Sequence, residues 1–272
     1  MEIHRITSLQ NPKILAMRKL YKSRNRKASK EFLVEGVREV TRGLDAGFGI
    51  ESIYFCTDII EENTQAQIVH ALAHEVRGYD LTKQVYEKLA YRDNTEGVIA
   101  LFRKRNYVLD DLIQEEKAPL IVLLEGVEKP GNLGAVLRTA DAVRASGVIV
   151  TGDKVDVWHP NVIRASQGGV FTLPVVHSSN EEVAAWANAR GISVYAAALP
   201  AYSALYEMPL ADGCVLAFGT EAEGLSDYWL EDPNHCFTIP MKGAVDSLNV
   251  SVSVAVSLYE AVRQRGEYTR GE

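Results

Sequence analysis

Three stretches in the second half of the chain hold the residue types that chemistry needs, and each lies just beyond an apolar run. They are Asn132-Leu133-Gly134-Ala135-Val136-Leu137-Arg138, Gly219-Thr220-Glu221-Ala222-Glu223-Gly224-Leu225-Ser226, and Ile239-Pro240-Met241 through Ser247-Leu248-Asn249. None contains histidine or cysteine, so the usual neutral-pH bases are missing. They offer amides, hydroxyls, carboxylates and one arginine. Arginine stays protonated and grips phosphate or carboxylate through a planar fork; among apolar neighbours its charge calls for an anionic partner. Gly131 and Gly134 let a ligand or second backbone approach closely. Ser247 and Asn249 are also residue types that cap helix starts, and capping accounts for them equally well.

The elements that position these residues follow from apolar patterning. From Asp246 to Arg265 a capped loop turns into a helix with apolar residues on nearly every side. That pattern predicts a buried helix whose polar mouth, Ser247 to Asn249, sits deep in the protein. Pro119–Leu124 reads as a strand buried on both faces of a parallel sheet, and Leu133–Ser146 as a helix stopped by Gly147. Arg138 then lies about 1.7 turns beyond Asn132. Val148–Val150, Pro174–Val176, Ile192–Ala197, Cys214–Phe218 and Cys236–Ile239 complete about six strands, with helices at Asn161–Gln167 and Glu181–Arg190. The first hundred residues read as a smaller α/β layer. Its helices are Lys13–Lys22, Val37–Ala46, Thr64–Arg77 and Gln84–Ala90; its strands are Phe32–Gly36, Ile53–Cys56 and Val98–Phe102.

Composition bounds the function. The 272 residues suit one large or two ordinary domains, and 47% hydrophobic content suffices for a core. No apolar run has the length of a membrane span, and the first residues lack signal-peptide design. Cys56, Cys214 and Cys236 are too far apart for redox or metal motifs and read as buried, reduced thiols of a cytoplasmic protein. Net charge is −7, yet residues 1–30 hold nine bases against Glu2, so a +8 segment joins a −15 body. Such a basic arm is the footprint of a protein that meets a polyanion locally, although a solvated helix face reads the same way. The spacing Gly131-x-x-Gly134 is not a dinucleotide fingerprint, and no phosphate loop, zinc motif or nucleophile elbow is present.

In this order and spacing the three stretches resemble the motifs of the SpoU/TrmH branch of the SPOUT RNA methyltransferases. The first reads Asn132-x-Gly134-Ala135-x-x-Arg138-Thr139-Ala140 and the second Gly219-x-Glu221-x-x-Gly224-Leu225-Ser226. The third reads Ile239-Pro240-Met241-x-Gly243-x-x-x-Ser247-Leu248-Asn249-Val250-Ser251. Arg164-Ala165-Ser166-x-Gly168 and Leu173-Pro174 are similar to the family's middle segment. The first hundred residues, with Phe32–Gly36, are similar to an α/β substrate-binding domain found N-terminal in many members.

The resemblance implies an α/β chain in three parts: an RNA substrate-binding domain at 1–103, a linker at 104–118 and a SPOUT domain at 119–272. The last is a mostly parallel sheet with a deep trefoil knot, against the rule that chains are unknotted. It implies S-adenosyl-L-methionine as cofactor, no metal, a homodimer, and methyl transfer to a ribose 2′-OH of RNA. Large-subunit ribosomal RNA is favoured over transfer RNA by analogy of fold. By resemblance the catalytic set is Arg138, Asn132, Glu221, Ser247 and Asn249. The cofactor set is Leu199, Gly219, Glu221, Ile239, Met241, Ser247 and Leu248, and Arg18, Lys19, Lys22, Arg24, Arg26 and Lys27 contact RNA. Arg138 is either the base or an electrostatic and positioning group. Two other classes stay open: a nicotinamide oxidoreductase, and a non-catalytic RNA-binding protein of the same fold.

Overall fold

The computed structural model describes residues 2–72, 75–91, 96–113, 118–199, 201, 203–220, 223–232 and 235–266. The chain divides into two compact units, Met1–Arg105 with Asp156–Thr172, and Asn106–Val155 with Leu173–Glu272.

The first unit is built on β1 (Ile3–Ile6), β2 (Glu31–Glu35), β3 (Ile50–Phe55), β4 (Arg77–Leu81) and β5 (Val98–Arg103), in the order β1-β4-β3-β5-β2. β1, β4 and β3 run parallel, while β5 is antiparallel to both its neighbours. Around the sheet lie α1 (Pro12–Leu20), α2 (Ser23–Ala28), α3 (Val37–Asp45), α4 (Glu62–Ala71) and α5 (Lys83–Leu89). Asn11 starts α1 by accepting the Lys13 N–H at 2.9 Å, and Pro12 takes the first helical position, where its missing N–H costs nothing. Ile14 and Met17 bury one face of α1, leaving Arg18 and Lys19 exposed in its last turn.

The second unit begins with a 3₁₀ turn at Leu109–Ile113, then β6 (Leu120–Glu125), α6 (Pro130–Ala142) and β7 (Gly147–Thr151). The chain next contributes α7 (Pro160–Ala165) and α8 (Gly169–Thr172) to the first unit. It returns with β8 (Val175–Ser178), α9 (Asn180–Ala189), β9 (Ser193–Ala197), β10 (Ser203–Ala204), β11 (Cys214–Phe218), β12 (Cys236–Thr238) and α10 (Val250–Arg265). The sheet order is β10-β12-β9-β11-β6-β7-β8, and every pairing is parallel. A parallel sheet needs both faces covered, which is why β6, β7 and β11 are continuous apolar runs. A capping box opens α9: Ser179 Oγ accepts the Glu182 N–H and Glu182 Oε2 accepts the Ser179 N–H, both at 3.2 Å.

Several expectations need correction. The basic N-terminal segment holds more than the one helix expected at Lys13–Lys22, because β1, α1 and α2 occupy most of it. Strands β1 and β4 were not expected; β1 exposes three of its four residues and is held by pairing with β4. The helix expected to run to Arg77 ends at Ala71. α6 starts at Pro130, three residues early, since proline presets the helical φ there. The second sheet has seven strands rather than six. Leu112, inside the expected linker, is buried in the second unit's core beside Ile121 and Trp186.

Segment Asp156–Thr172 is welded into the first unit by an ion pair and by aromatic packing. Arg26 is 1% exposed, its Nε donates to Asp156 Oδ2 at 2.8 Å, and Nη1 donates to the Leu20 carbonyl at 2.6 Å. Phe32 packs on Trp158 at 4.2 Å between ring centroids, and Phe171 packs against Phe48 and Phe102 at 5.1 and 5.7 Å.

Candidate active site

In the second unit the C-terminal ends of β9, β11 and β12 open into loops that enclose a cavity of about 400 Å³ with the start of α10. Ligands of parallel α/β sheets bind at this end of the strands. Apolar walls come from Leu199, Phe218, Leu225, Phe237, Ile239 and Leu248; Thr220, Thr238, Asp246 and Ser247 add polar groups. Gly219 and Met241 line it as well, so every cofactor residue expected from sequence borders this space except Glu221, which lies outside the described residues.

The loop after β11 is tightly closed. Thr220 and Gly224 exchange backbone hydrogen bonds at 3.1 and 3.0 Å, and Thr220 Oγ1 accepts the Glu223 N–H at 2.9 Å. A Cβ on Gly219 would stand 1.9 Å from the carbonyl carbon and oxygen of Gly224. Only glycine permits that approach. The loop is anchored by Glu125, the last residue of β6. Its Oε2 accepts the Ser226 N–H at 2.7 Å, and its Oε1 accepts the Ser226 hydroxyl at 2.8 Å and a short bond from Asn180 Nδ2. Neither Glu125 nor Asn180 was singled out from sequence. A carboxylate ending a wholly apolar strand was the available signal.

The first and third stretches meet directly. Asn249 Nδ2 donates to Asn132 Oδ1 at 3.3 Å across 117 residues of sequence. Asn249 also caps α10, its Oδ1 accepting the Ser251 N–H at 3.0 Å and the Ser251 hydroxyl at 2.6 Å. Asn132 stands in the first turn of α6 and lines a second hollow of about 220 Å³ with Glu128, Lys129, Lys154 and Glu223. This hollow shares Thr220, Glu223 and Val250 with the larger cavity, so the loop after β11 walls both. At its rim Lys154 Nζ donates to Glu128 Oε1 at 2.7 Å; that bond lowers the pKa of Glu128 and raises that of Lys154.

Three site expectations are corrected by burial. The mouth of α10 is not deep: Ser247 and Asn249 are exposed, and α10 leaves Val252 and Tyr259 on its surface. Arg138 is exposed on α6, borders neither cavity, and forms no salt bridge among the described residues. The helix buries Leu133, Val136, Leu137 and Ala140 instead, and Arg138 falls on its outer side. Of the six bases expected to contact RNA, Arg18, Lys19, Lys22, Arg24 and Lys27 are exposed. Arg26 is not, because it is consumed by Asp156.

Comparison with known proteins gives this arrangement a context. The model of the SpoU rRNA methylase family matches residues 119–259, and that of an MRM3-like substrate-binding domain matches residues 11–100. An uncharacterized tRNA/rRNA methyltransferase of Synechocystis sp. is 32% identical over 265 residues, covering 97% of this chain and 95% of its own. The 23S rRNA (uridine(2479)-2′-O)-methyltransferase of Streptomyces viridochromogenes is 30% identical over 270 residues, covering 96% and 92%. Among solved structures, an AdoMet-bound rRNA methyltransferase from Sinorhizobium meliloti superposes with a TM-score of 0.87 at 29% identity, covering 96% of this chain and 98% of that one.

Proposed function

The chain belongs to the SpoU rRNA methylase family, and from that premise we propose that it methylates a ribose 2′-hydroxyl of ribosomal RNA, with S-adenosyl-L-methionine as methyl donor. The observation that carries this reading is convergence. Stretches separated by more than 100 residues meet at one end of a parallel sheet, where Asn249 donates to Asn132 beside a cavity walled by the loops after β11 and β12. The cavity fits the cofactor: its volume lies within the roughly 300–1,000 Å³ of small-molecule sites, with apolar walls for a nucleoside and a few polar groups to orient it. When bound, the cofactor supplies an already activated methyl group.

The protein's own residues then have to place and deprotonate a weakly acidic hydroxyl. Positioning supplies much of such a rate. Asn132 and Asn249 are the amides we assign to holding the ribose, with Ser247 at the cavity's edge beside them. We assign Arg138 to the neighbouring phosphate and to the charge that develops on the oxygen, and Glu221 to orienting it. The exposure of Arg138 supports a site completed across a homodimer. The apolar Val252 and Tyr259, two helical turns apart on α10, support the same assembly. For the segment between β12 and α10 we propose the family's trefoil-knot threading.

We also propose a division of labour in which the first unit, through the exposed bases of α1 and α2, adds RNA affinity while the second unit holds the chemistry. A truncation is a poor test of it, because Trp158 and Phe171 would lose the partners that cover them. Replacing Arg18, Lys19 and Lys22 by alanine should weaken RNA binding and flatten its salt dependence while cofactor binding stays unchanged. No described helix is long and apolar enough to cross a membrane, and we propose a cytoplasmic protein that meets RNA there. Mapping 2′-O-methylation in total RNA with and without the gene tests the whole reading. Loss of a ribosomal site is expected. Loss confined to transfer RNA would move the substrate, and an unchanged map would overturn the enzyme.

A further inference from the structure

Around Tyr91 the first unit presents side chains that the proposed methyl transfer does not use. Tyr91 is 41% exposed, and its backbone N–H is fixed by Glu35 Oε2 at 2.8 Å. Its ring lies 5.4 Å from that of Tyr21, inclined by 32°, and 6.1 Å from His159, which meets it edge-on at 87°. Arg164, exposed on α7, lines the same small hollow as Tyr21, Tyr91 and Pro160. Tyr21 closes α1, within three residues of the exposed Arg18, Lys19 and Lys22.

The character of His159 follows from its bonds. Its Nδ1 accepts the Asn161 N–H at 3.1 Å, which leaves the ring proton on Nε2. Burial, and then the nearby Arg26 charge, push its pKa down. The group is therefore two tyrosines and a neutral imidazole, with the Arg164 guanidinium and the Glu35 carboxylate lining the same hollow and the basic end of α1 following from Tyr21. An aromatic ring held in place at a basic surface is the platform that unpaired nucleic-acid bases stack on, while the flanking cations hold phosphate. A-form duplex offers no open base face, so a duplex gains only from the charges.

We infer that Tyr91, supported by Tyr21 and walled by His159, stacks an unpaired base of the RNA substrate, with Arg164 and the basic end of α1 holding the adjoining phosphates. This rests on the RNA-methyltransferase reading and gives it a second contact point, on the first unit. Arg164 and His159 precede β8 in sequence yet belong to this surface, because Asp156–Thr172 packs into the first unit.

The test uses the full-length protein and two fluorescent probes at fixed salt, an unstructured ten-nucleotide RNA and a blunt RNA duplex. Tyr91→Ala should weaken single-strand binding about 5- to 100-fold, leave duplex binding within twofold and leave the salt slope unchanged. Tyr91→Phe keeps the ring and should stay within twofold of wild type on both. Arg164→Ala should lower the salt slope by about one, the sign of a lost phosphate contact. With deproteinised ribosomal RNA, Tyr91→Ala should raise KM and spare kcat. A folded Tyr91→Ala protein that binds the single strand within twofold of wild type, or that loses both probes equally, would overturn the platform. Wild-type protein that binds the cofactor but neither probe would instead count against the RNA reading itself.

Discussion

Removing the Glu125 carboxylate isolates what holds the loop after β11. Glu125 accepts from the Ser226 N–H, the Ser226 hydroxyl and Asn180 Nδ2, and so ties the loop after β11 to the ends of two other segments. Hydrogen bonds to a charged group each contribute about 1.5–3 kcal/mol. Glu125 is only half-buried, and in Glu125→Ala water satisfies the released donors in part, so the net loss is that of about one such bond. Where the loop must be re-ordered to close the cavity, that loss falls on binding, and at about 1.4 kcal/mol per decade it predicts cofactor affinity about 10- to 150-fold weaker. Glu125→Gln keeps the length but turns an N–H₂ toward groups that are themselves donors, so it should recover only part of the loss. Titration calorimetry with S-adenosylhomocysteine measures the effect without turnover. Ser226→Ala should be milder, since its N–H bond survives, and combining it with Glu125→Ala should add nothing further. A folded Glu125→Ala protein whose affinity stays within twofold of wild type would refute the reasoning, because Glu125 would then support the fold without shaping the cavity.

Four further outcomes follow from the structure. Arg138→Ala should leave the melting temperature almost unchanged, as expected of an exposed side chain, and lower single-turnover methyl transfer at least 100-fold; Arg138→Lys decides between a fixed fork and charge alone. If the site is composite, mixing inactive Arg138→Ala and Asn249→Ala proteins should restore activity through heterodimers, and no recovery would place both groups in one protomer. Arg26→Ala strands Asp156, whose side chain is 9% exposed, and should cost about 3–5 kcal/mol in denaturant unfolding, whereas Arg26→Met with Asp156→Leu should recover most of it. Gly219→Ala forces a Cβ to within 1.9 Å of Gly224 and should abolish cofactor binding, whereas Gly131→Ala, with nothing within 4 Å, should bind normally and gain up to about 1 kcal/mol of stability.

The sequence by itself determined the elements whose order is local. β6, β7 and β11 were legible because strands buried on both faces leave unbroken apolar runs. The start of α10 was legible because Asn249 caps it within the same few residues. The three loop stretches stood out since they join such strands to helices. Strand β1 was not legible, because an edge strand with one buried residue in four owes its existence to β4 rather than to its own pattern. Arg26 reads as one base among nine, and only the return of Asp156 through the fold turns it from a surface charge into a buried one. Likewise Arg138 is surrounded in sequence by apolar residues, but a helix places them on one side and the arginine on the other, so chain neighbours misreported its environment. The contacts that make a site, Asn132 to Asn249, Glu125 to Ser226 and Tyr91 to His159, span from 68 to 117 residues. Capping and patterning act over a few residues, whereas these pairings depend on sheet order and on which unit a segment joins. Those are decided by the packing of the whole chain.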